Sequence, residues 1–126
     1  MRIGADLMHL AELDRLLTRT WFRAYAYAES ELATASGFGP ERRQEFLTGR
    51  FAGKEAVAKA IGTGFGRGVT PRQIAIERAG SGESRVVLTD AAAARAAALG
   101  VVAVQLSITH KADLVLAVAL AIPSSA

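Results

Sequence analysis

No cysteine occurs among the 126 residues, which removes disulfides, thiolate zinc centres and cysteine nucleophiles together. Aromatic residues are scarce, with one Trp, two Tyr and five Phe, while alanine carries much of the 51% hydrophobic share. A fine-grained core with close backbone packing is therefore expected. No block of like charges accompanies the formal charge of +3, so a nucleic-acid arm is disfavoured. A small phosphorylated ligand or an acidic protein suits that balance better. The longest apolar run, Leu114 to Ile122, is too short to span a bilayer. The opening Met1-Arg2-Ile3-Gly4 is not a charged-then-apolar signal segment, and a cytoplasmic chain is expected. The length suits one domain over residues 1–126, with one site.

What the chain does contain is periodicity. Arg2 to Leu7 is a short apolar segment ending around Asp6, followed by Leu10, Leu13, Leu16 and Leu17 at helical spacing. Thr20 to Ala35 is alanine-rich and also helical in pattern. Gly37-Phe38-Gly39-Pro40 breaks the chain, and Pro40 suits the first position of a long helix that stops at Gly62. The glycine-rich stretch Gly62 to Gly68 follows a helix rather than a strand, so it reads as a connection and not a dinucleotide loop. Arg67 within it is a candidate phosphate contact.

Ile74 and Ile76, then Val86, Val87 and Leu88, flank Gly80-Ser81-Gly82-Glu83 as the arms of a β-hairpin. Asp90 is placed to cap an alanine-rich helix that stops at Gly100. Val102, Val104, Leu106 and Ile108 alternate with Gln105, Ser107 and Thr109, as in a half-buried strand. His110 to Asp113 then turns the chain into a last strand, Leu114 to Ile122. Apolar side chains on both sides of that strand imply burial on both faces, by helices on one side and on the other by a neighbouring subunit or by a second layer of the same chain. The fold expected is α+β, a mainly antiparallel sheet packed against one long helix and shorter ones.

Gly49 to Ala60 holds the densest chemistry. On a helix, Glu55 and Lys59 are one turn apart on one side, while Gly49 and Gly53 leave a stripe of bare backbone that something can approach. Asp6 and Glu55 are far apart in sequence, and on the residues alone each reads as a solvated or capping acid. Brought together without His or Cys, they would favour a hard cation such as Mg²⁺.

Gly4-Ala5-Asp6-Leu7, Glu45-Phe46-Leu47, Arg50-Phe51-Ala52-Gly53-Lys54-Glu55-Ala56 with Lys59-Ala60, Gly62-Thr63-Gly64 and Ser107-Ile108-Thr109-His110 stand in order. Together, from Ile3 to Ile122, they resemble the small stand-alone 4′-phosphopantetheinyl transferases of the holo-[acyl-carrier-protein] synthase type. The resemblance implies that fold, Mg²⁺ dependence, coenzyme A as substrate and an apo acyl carrier protein as partner. It puts metal ligation on Asp6 and Glu55, catalysis on those two and Lys59, and a water near Glu55 that takes the serine proton. It also implies a homotrimer with sites between subunits. Arg50, Lys54, Gly62, Gly64, Ser107, Thr109 and His110 become candidates for holding coenzyme A, with His110, Ser107 and Thr109 together at its adenosine 3′-phosphate or ribose region. Arg50 and Lys54 read alternatively as surface charges, and His9 as structural or carrier-facing.

Three segments depart from the family pattern. Glu12 stands where a basic residue is usual, with Arg15 one turn on; Tyr25 and Ala28 stand for an Arg and a Thr; Glu83-Ser84 replaces Lys-Pro. These touch carrier recognition rather than metal chemistry, and point from the fatty-acid carrier towards one of a secondary-metabolite, polyketide-type pathway. Two alternatives stand beside the transferase: a trimeric coenzyme A-binding module without carrier activity, and a pyrophosphate hydrolase.

Overall fold

The computed structural model describes residues 1–125. In chain order it forms β1 (Arg2–His9), α1 (Thr20–Ala26), α2 (Glu29–Ser36), α3 (Pro40–Ala60), β2 (Ile74–Arg78), β3 (Ser84–Leu88), α4 (Asp90–Ala98), β4 (Val101–Lys111) and β5 (Leu114–Pro123). Strands β1, β5 and β4 form one antiparallel sheet in that spatial order, and β2 pairs with β3 as a separate antiparallel hairpin.

Helix α3 is the axis of the molecule. Gly39 is its extended N-cap, Pro40 occupies the first turn where a missing N–H costs nothing, and 21 residues give a rod of about 31 Å. From Phe46 to Ala60 every residue is buried except Glu55 and Lys59. The inner face of the sheet is made of small groups, Gly4 on β1 and Ala117, Ala119 and Ala121 on β5, which lets the helix lie close. A Cβ on Gly4 would overlap the carbonyl oxygen of Ala56 and come within 2.7 Å of the Ala60 nitrogen. Only glycine permits this contact, and it is the contact that sets β1 against the lower half of α3.

The bare stripe at Gly49 and Gly53 is filled from within. A Cβ on Gly53 would meet Ile76 at 2.8 Å and Ile108 and Leu106 at 3.1 Å, so what approaches the backbone is core, not ligand.

Several expectations are corrected. Asp6 lies inside β1, paired with Ala117, because the strand runs on to His9. The leucines from Leu10 to Leu17 do not form an α-helix. Leu10 is tied at its N–H to the Asp113 carbonyl and at its own carbonyl to the Thr48 hydroxyl, so only turns and one 3₁₀ turn, Leu16–Thr18, follow. A segment that short cannot repay helix nucleation against such anchors. The Thr20 to Ala35 region is two helices, broken where Tyr27 and Ala28 are extended. Tyr27 is fully buried there, its hydroxyl donating to the Leu47 carbonyl at 2.8 Å. Asp90 does not cap α4, since Thr89 is the N-cap residue and Gln73 Oε1 accepts the Ala92 N–H at 3.0 Å. His110 belongs to β4, and the turn is Ala112-Asp113.

The outer face of the sheet stays open in the single chain. Ile3 and Leu7 on β1 are 67% and 62% exposed, and Leu116 on β5 is 41% exposed. Among the described residues no helix is long and apolar enough to cross a membrane.

Candidate active site

Because Gly4 brings β1 against α3, Asp6 and Glu55 stand side by side where the otherwise buried stretch of the helix opens to solvent. The Asp6 side chain is only 9% exposed; its Oδ1 accepts from Lys59 Nζ at 3.0 Å. Lys59 also donates to the Ala5 carbonyl at 3.0 Å, and half of its side chain remains in water. Asp6 Oδ2 is buried without a partner. Two adjacent carboxylates share a hydrogen bond only when one of them carries a proton, which is why that oxygen is otherwise left without a donor.

The carboxyl of Glu55 is pushed up to about 7, first by burial, then by the hydrogen bond to Asp6 and by its charge, with a smaller push from Glu12. Lys59 opposes the rise. Two hard oxygen donors, one of them orphaned and buried, form a site that suits a divalent cation of the Mg²⁺ kind.

The raised value carries a stability consequence for protein kept in chelator. Folded Glu55 binds its proton more tightly than the unfolded chain does, so its contribution is complete at low pH and is lost as pH rises towards 7. Partial exposure screens the effect to about 1 kcal/mol. Denaturant titrations between mildly acidic and mildly basic pH should show that decline in wild type and a flatter profile in Glu55→Gln. An unchanged slope in the variant would remove the assignment.

A second polar centre lies on the far side of the same helix. Arg42, Phe46 and Arg50 follow at four-residue steps and line a cavity of about 550 Å³ with Arg78, Ser30 and Thr34. Arg50 is 8% exposed, its guanidinium sits 4.4 Å from the Phe46 ring centre, and its Nε has no partner. Burial lowers its pKa; Glu31 opposes this, while Arg78 and Arg42 add to it. A desolvated guanidinium with an unused donor, beside two more of its kind, suits an anion of high charge density. Arg42 and Arg78 were not singled out from sequence, although the four-residue spacing of Arg42, Phe46 and Arg50 was there to find.

Arg50 and Glu55 are five residues apart, about 140° around the helix axis. The acid pair and the arginine cavity therefore face different sides of α3.

Other candidates are placed differently from expectation. Lys54 is not a phosphate ligand and not a surface charge. It is fully buried, and its ammonium donates to Glu31 Oε1 at 2.7 Å and to the carbonyls of Ile74 at 2.7 Å and Pro71 at 3.1 Å, which uses all three protons. Gly62 and Gly64 have positive φ and close the helix. Their N–H groups donate to Lys59 and Ala58 carbonyls, so no backbone amide there is free to cradle a phosphate. Ser107 and Thr109 pair with Val118 and Leu116 on the outer face of the sheet. His110 pairs with Val115 and lies on the opposite face by strand alternation, its Nε2 3.8 Å from Glu45 Oε2, which also lies 3.7 Å from Arg42. The three do not converge within one chain. His9 is exposed and lies 3.7 Å from Asp113, and Arg67 is exposed in the connection after α3.

Comparison with known proteins accords with this arrangement. Residues 2–119 match the family model of the 4′-phosphopantetheinyl transferase superfamily. A holo-[acyl-carrier-protein] synthase of Shouchella clausii (strain KSM-K16) is 37% identical over 112 residues, 88% of each chain. One of Nitratidesulfovibrio vulgaris (strain DP4) is 49% identical over 73 residues, 58% of this chain and 59% of that protein, so this match spans less than two thirds of that relative. A holo-(acyl-carrier-protein) synthase from Bacillus anthracis str. Ames, solved in complex with CoA (3′,5′-ADP), superposes with a TM-score of 0.81 at 29% identity, over 98% of this chain and 96% of that one. An acid pair held by a glycine contact, an arginine cavity behind it and a match over nearly the whole length identify the chain as a member of the 4′-phosphopantetheinyl transferase superfamily.

Proposed function

We propose that this chain transfers the 4′-phosphopantetheine group of coenzyme A to a serine of an apo acyl carrier protein, with Mg²⁺, releasing adenosine 3′,5′-bisphosphate. The observation that carries the reading is the juxtaposition of Asp6 and Glu55 with a buried, partnerless Oδ2 and the Lys59 ammonium at the same opening. In the reaction the serine oxygen bonds to the β-phosphorus, the bond from that phosphorus to the adenosine-side bridging oxygen breaks, and the serine proton leaves. Asp6 and Glu55 would hold a divalent cation, which would neutralise charge and polarise the phosphoryl oxygens. Lys59, half in solvent, turns its ammonium to the negative charge that grows on the leaving oxygen. Glu55 accepts the serine proton through a water.

Arg50, Arg42 and Arg78 bind the phosphates at the adenosine end, and His110, linked to Arg42 through Glu45, stands beside them. Since the two centres face different sides of α3, the acid pair of one subunit works with the arginines of the next. The open apolar sheet face, with Ile3, Leu7 and Leu116, supports that assembly as a homotrimer. A cytoplasmic location goes with the same reading. Apo carriers of fatty-acid and polyketide type, incubated with coenzyme A and Mg²⁺, test it by intact mass: at least one gains a phosphopantetheine. Coenzyme A binding with no turnover on any carrier would leave a binding module instead, and carrier-independent release of adenosine bisphosphate would leave a hydrolase.

A further inference from the structure

The geometry points to a second ligand site, for an anionic amphiphile with a single aliphatic chain and a carboxylate head, in an open cavity bounded by α1, α2 and the first half of α3. Its volume is about 640 Å³, within the range of small-molecule sites. The site is separate from the transferase chemistry. Ser30 and Thr34 of α2 line the arginine cavity, whereas Leu32, Ala35 and Ser36 of the same helix line this one, so α2 stands between the two.

The walls set the class of tail. Leu17, Leu32, Ala35 and Leu47 are aliphatic, and Ala35 and Leu47 are closed against the core. No aromatic ring lines the cavity, which removes the stacking surface that a nucleobase or another planar ligand would use. The charges set the class of head. Arg23 and Arg43 both line the cavity, and both are held by backbone: Arg23 Nη1 donates to the Leu17 carbonyl at 2.6 Å, and Arg43 donates from Nε to the Ala35 carbonyl at 3.2 Å and from Nη2 to the Phe38 carbonyl at 2.8 Å. Those bonds fix the guanidinium groups in place and leave further N–H donors on each unused. Among the described residues neither arginine has a carboxylate within ion-pair distance. The one acid of the lining, Asp14, accepts from Gln44 Nε2 at 2.8 Å, and two arginines against one aspartate leave one positive charge. Arginines that only tie chain ends together account for the carbonyl bonds but not for an aliphatic cavity lined by both. A carboxylate on the remaining donors, with its chain along the leucines, uses both features.

Calorimetry with sodium decanoate below its micellar concentration, titrated into the full chain, tests the site without carrier or coenzyme A. Wild type should bind saturably, one decanoate per chain, while decanol and acetate, which carry only the tail or only the head, bind at least about tenfold more weakly. Arg43→Gln should weaken decanoate binding about tenfold. That variant also loses bonds at the end of α2, so Ser36→Trp, at an exposed rim position, gives a second reading: it should block the cavity and remove binding with an unchanged melting temperature. No saturable binding by wild type overturns the site. Decanol binding as tightly as decanoate overturns the anionic head, and wild-type affinity in Ser36→Trp overturns the location.

Discussion

Asp6→Asn should lower the rate of carrier modification by about a hundred- to a thousandfold, because the amide keeps the shape of the carboxylate but not the charge that offsets a cation. The substitution leaves Lys59 a neutral amide oxygen in place of a carboxylate, and the Ala5 carbonyl still holds the ammonium near the opening. The loss should fall on kcat. Affinity for adenosine 3′,5′-bisphosphate, measured by calorimetry, should change little, since the arginine cavity faces the other side of α3. Glu55→Gln should show a comparable loss and, if Glu55 also handles the proton, a flattened acidic limb in the pH–rate profile. An Asp6→Asn enzyme that keeps a third or more of wild-type rate would dismantle the proposed chemistry, whereas weakened bisphosphate binding with kcat intact would move both acids to ground-state binding.

Lys54→Met should cost about 3–5 kcal/mol of stability, the range for leaving one partner of a buried ion pair uncompensated. Glu31 is 2% exposed; its Oε1 accepts from Lys54 and from the Ala28 N–H at 2.8 Å, and its Oε2 accepts the Ile76 N–H at 2.9 Å. One carboxylate thus ties the start of α2 to β2, and one ammonium ties both to α3 and to the carbonyls of Pro71 and Ile74. Burial lowers the pKa of Lys54, while the charge of Glu31 and the hydrogen bond to it oppose that fall. Urea titration gives the measurement. The double variant Lys54→Met/Glu31→Gln should recover part of the loss, because no unpaired charge then remains inside. A single variant within 1 kcal/mol of wild type would show that water or rearrangement satisfies Glu31, contrary to its closed surroundings.

These two lysines illustrate how far a sequence can be read. Lys54 and Lys59 lie on the same helix, five residues apart, and both were expected to meet the substrate, Lys59 in catalysis and Lys54 in holding coenzyme A. A five-residue step turns one of them about 140° away from the other, into the core. Whether a charge on a fully packed helix faces water or a buried carboxylate depends on what lies across from it. For Lys54 that is Glu31, 23 residues earlier on another helix.

The same division runs through the fold. The start of α3 at Pro40, its stop at Gly62, the hairpin about Gly82 and the alternation of β4 from Val104 to Ile108 were determined by the sequence, because backbone limits on Pro and Gly and side-chain periodicity act within a few residues; Val102, expected on the buried face, is 67% exposed at a register break between Val101 and Ala103. The acid pair was suggested by residue type and by the family's ordered motifs. Tertiary structure alone decided that Leu10 to Leu17 is turns, that His110 and Ser107 lie on opposite faces of the sheet, and that Arg42 and Arg78 join Arg50. Each of those outcomes is set by contacts between segments distant in the chain, where a single hydrogen bond or a missing Cβ outweighs local preference.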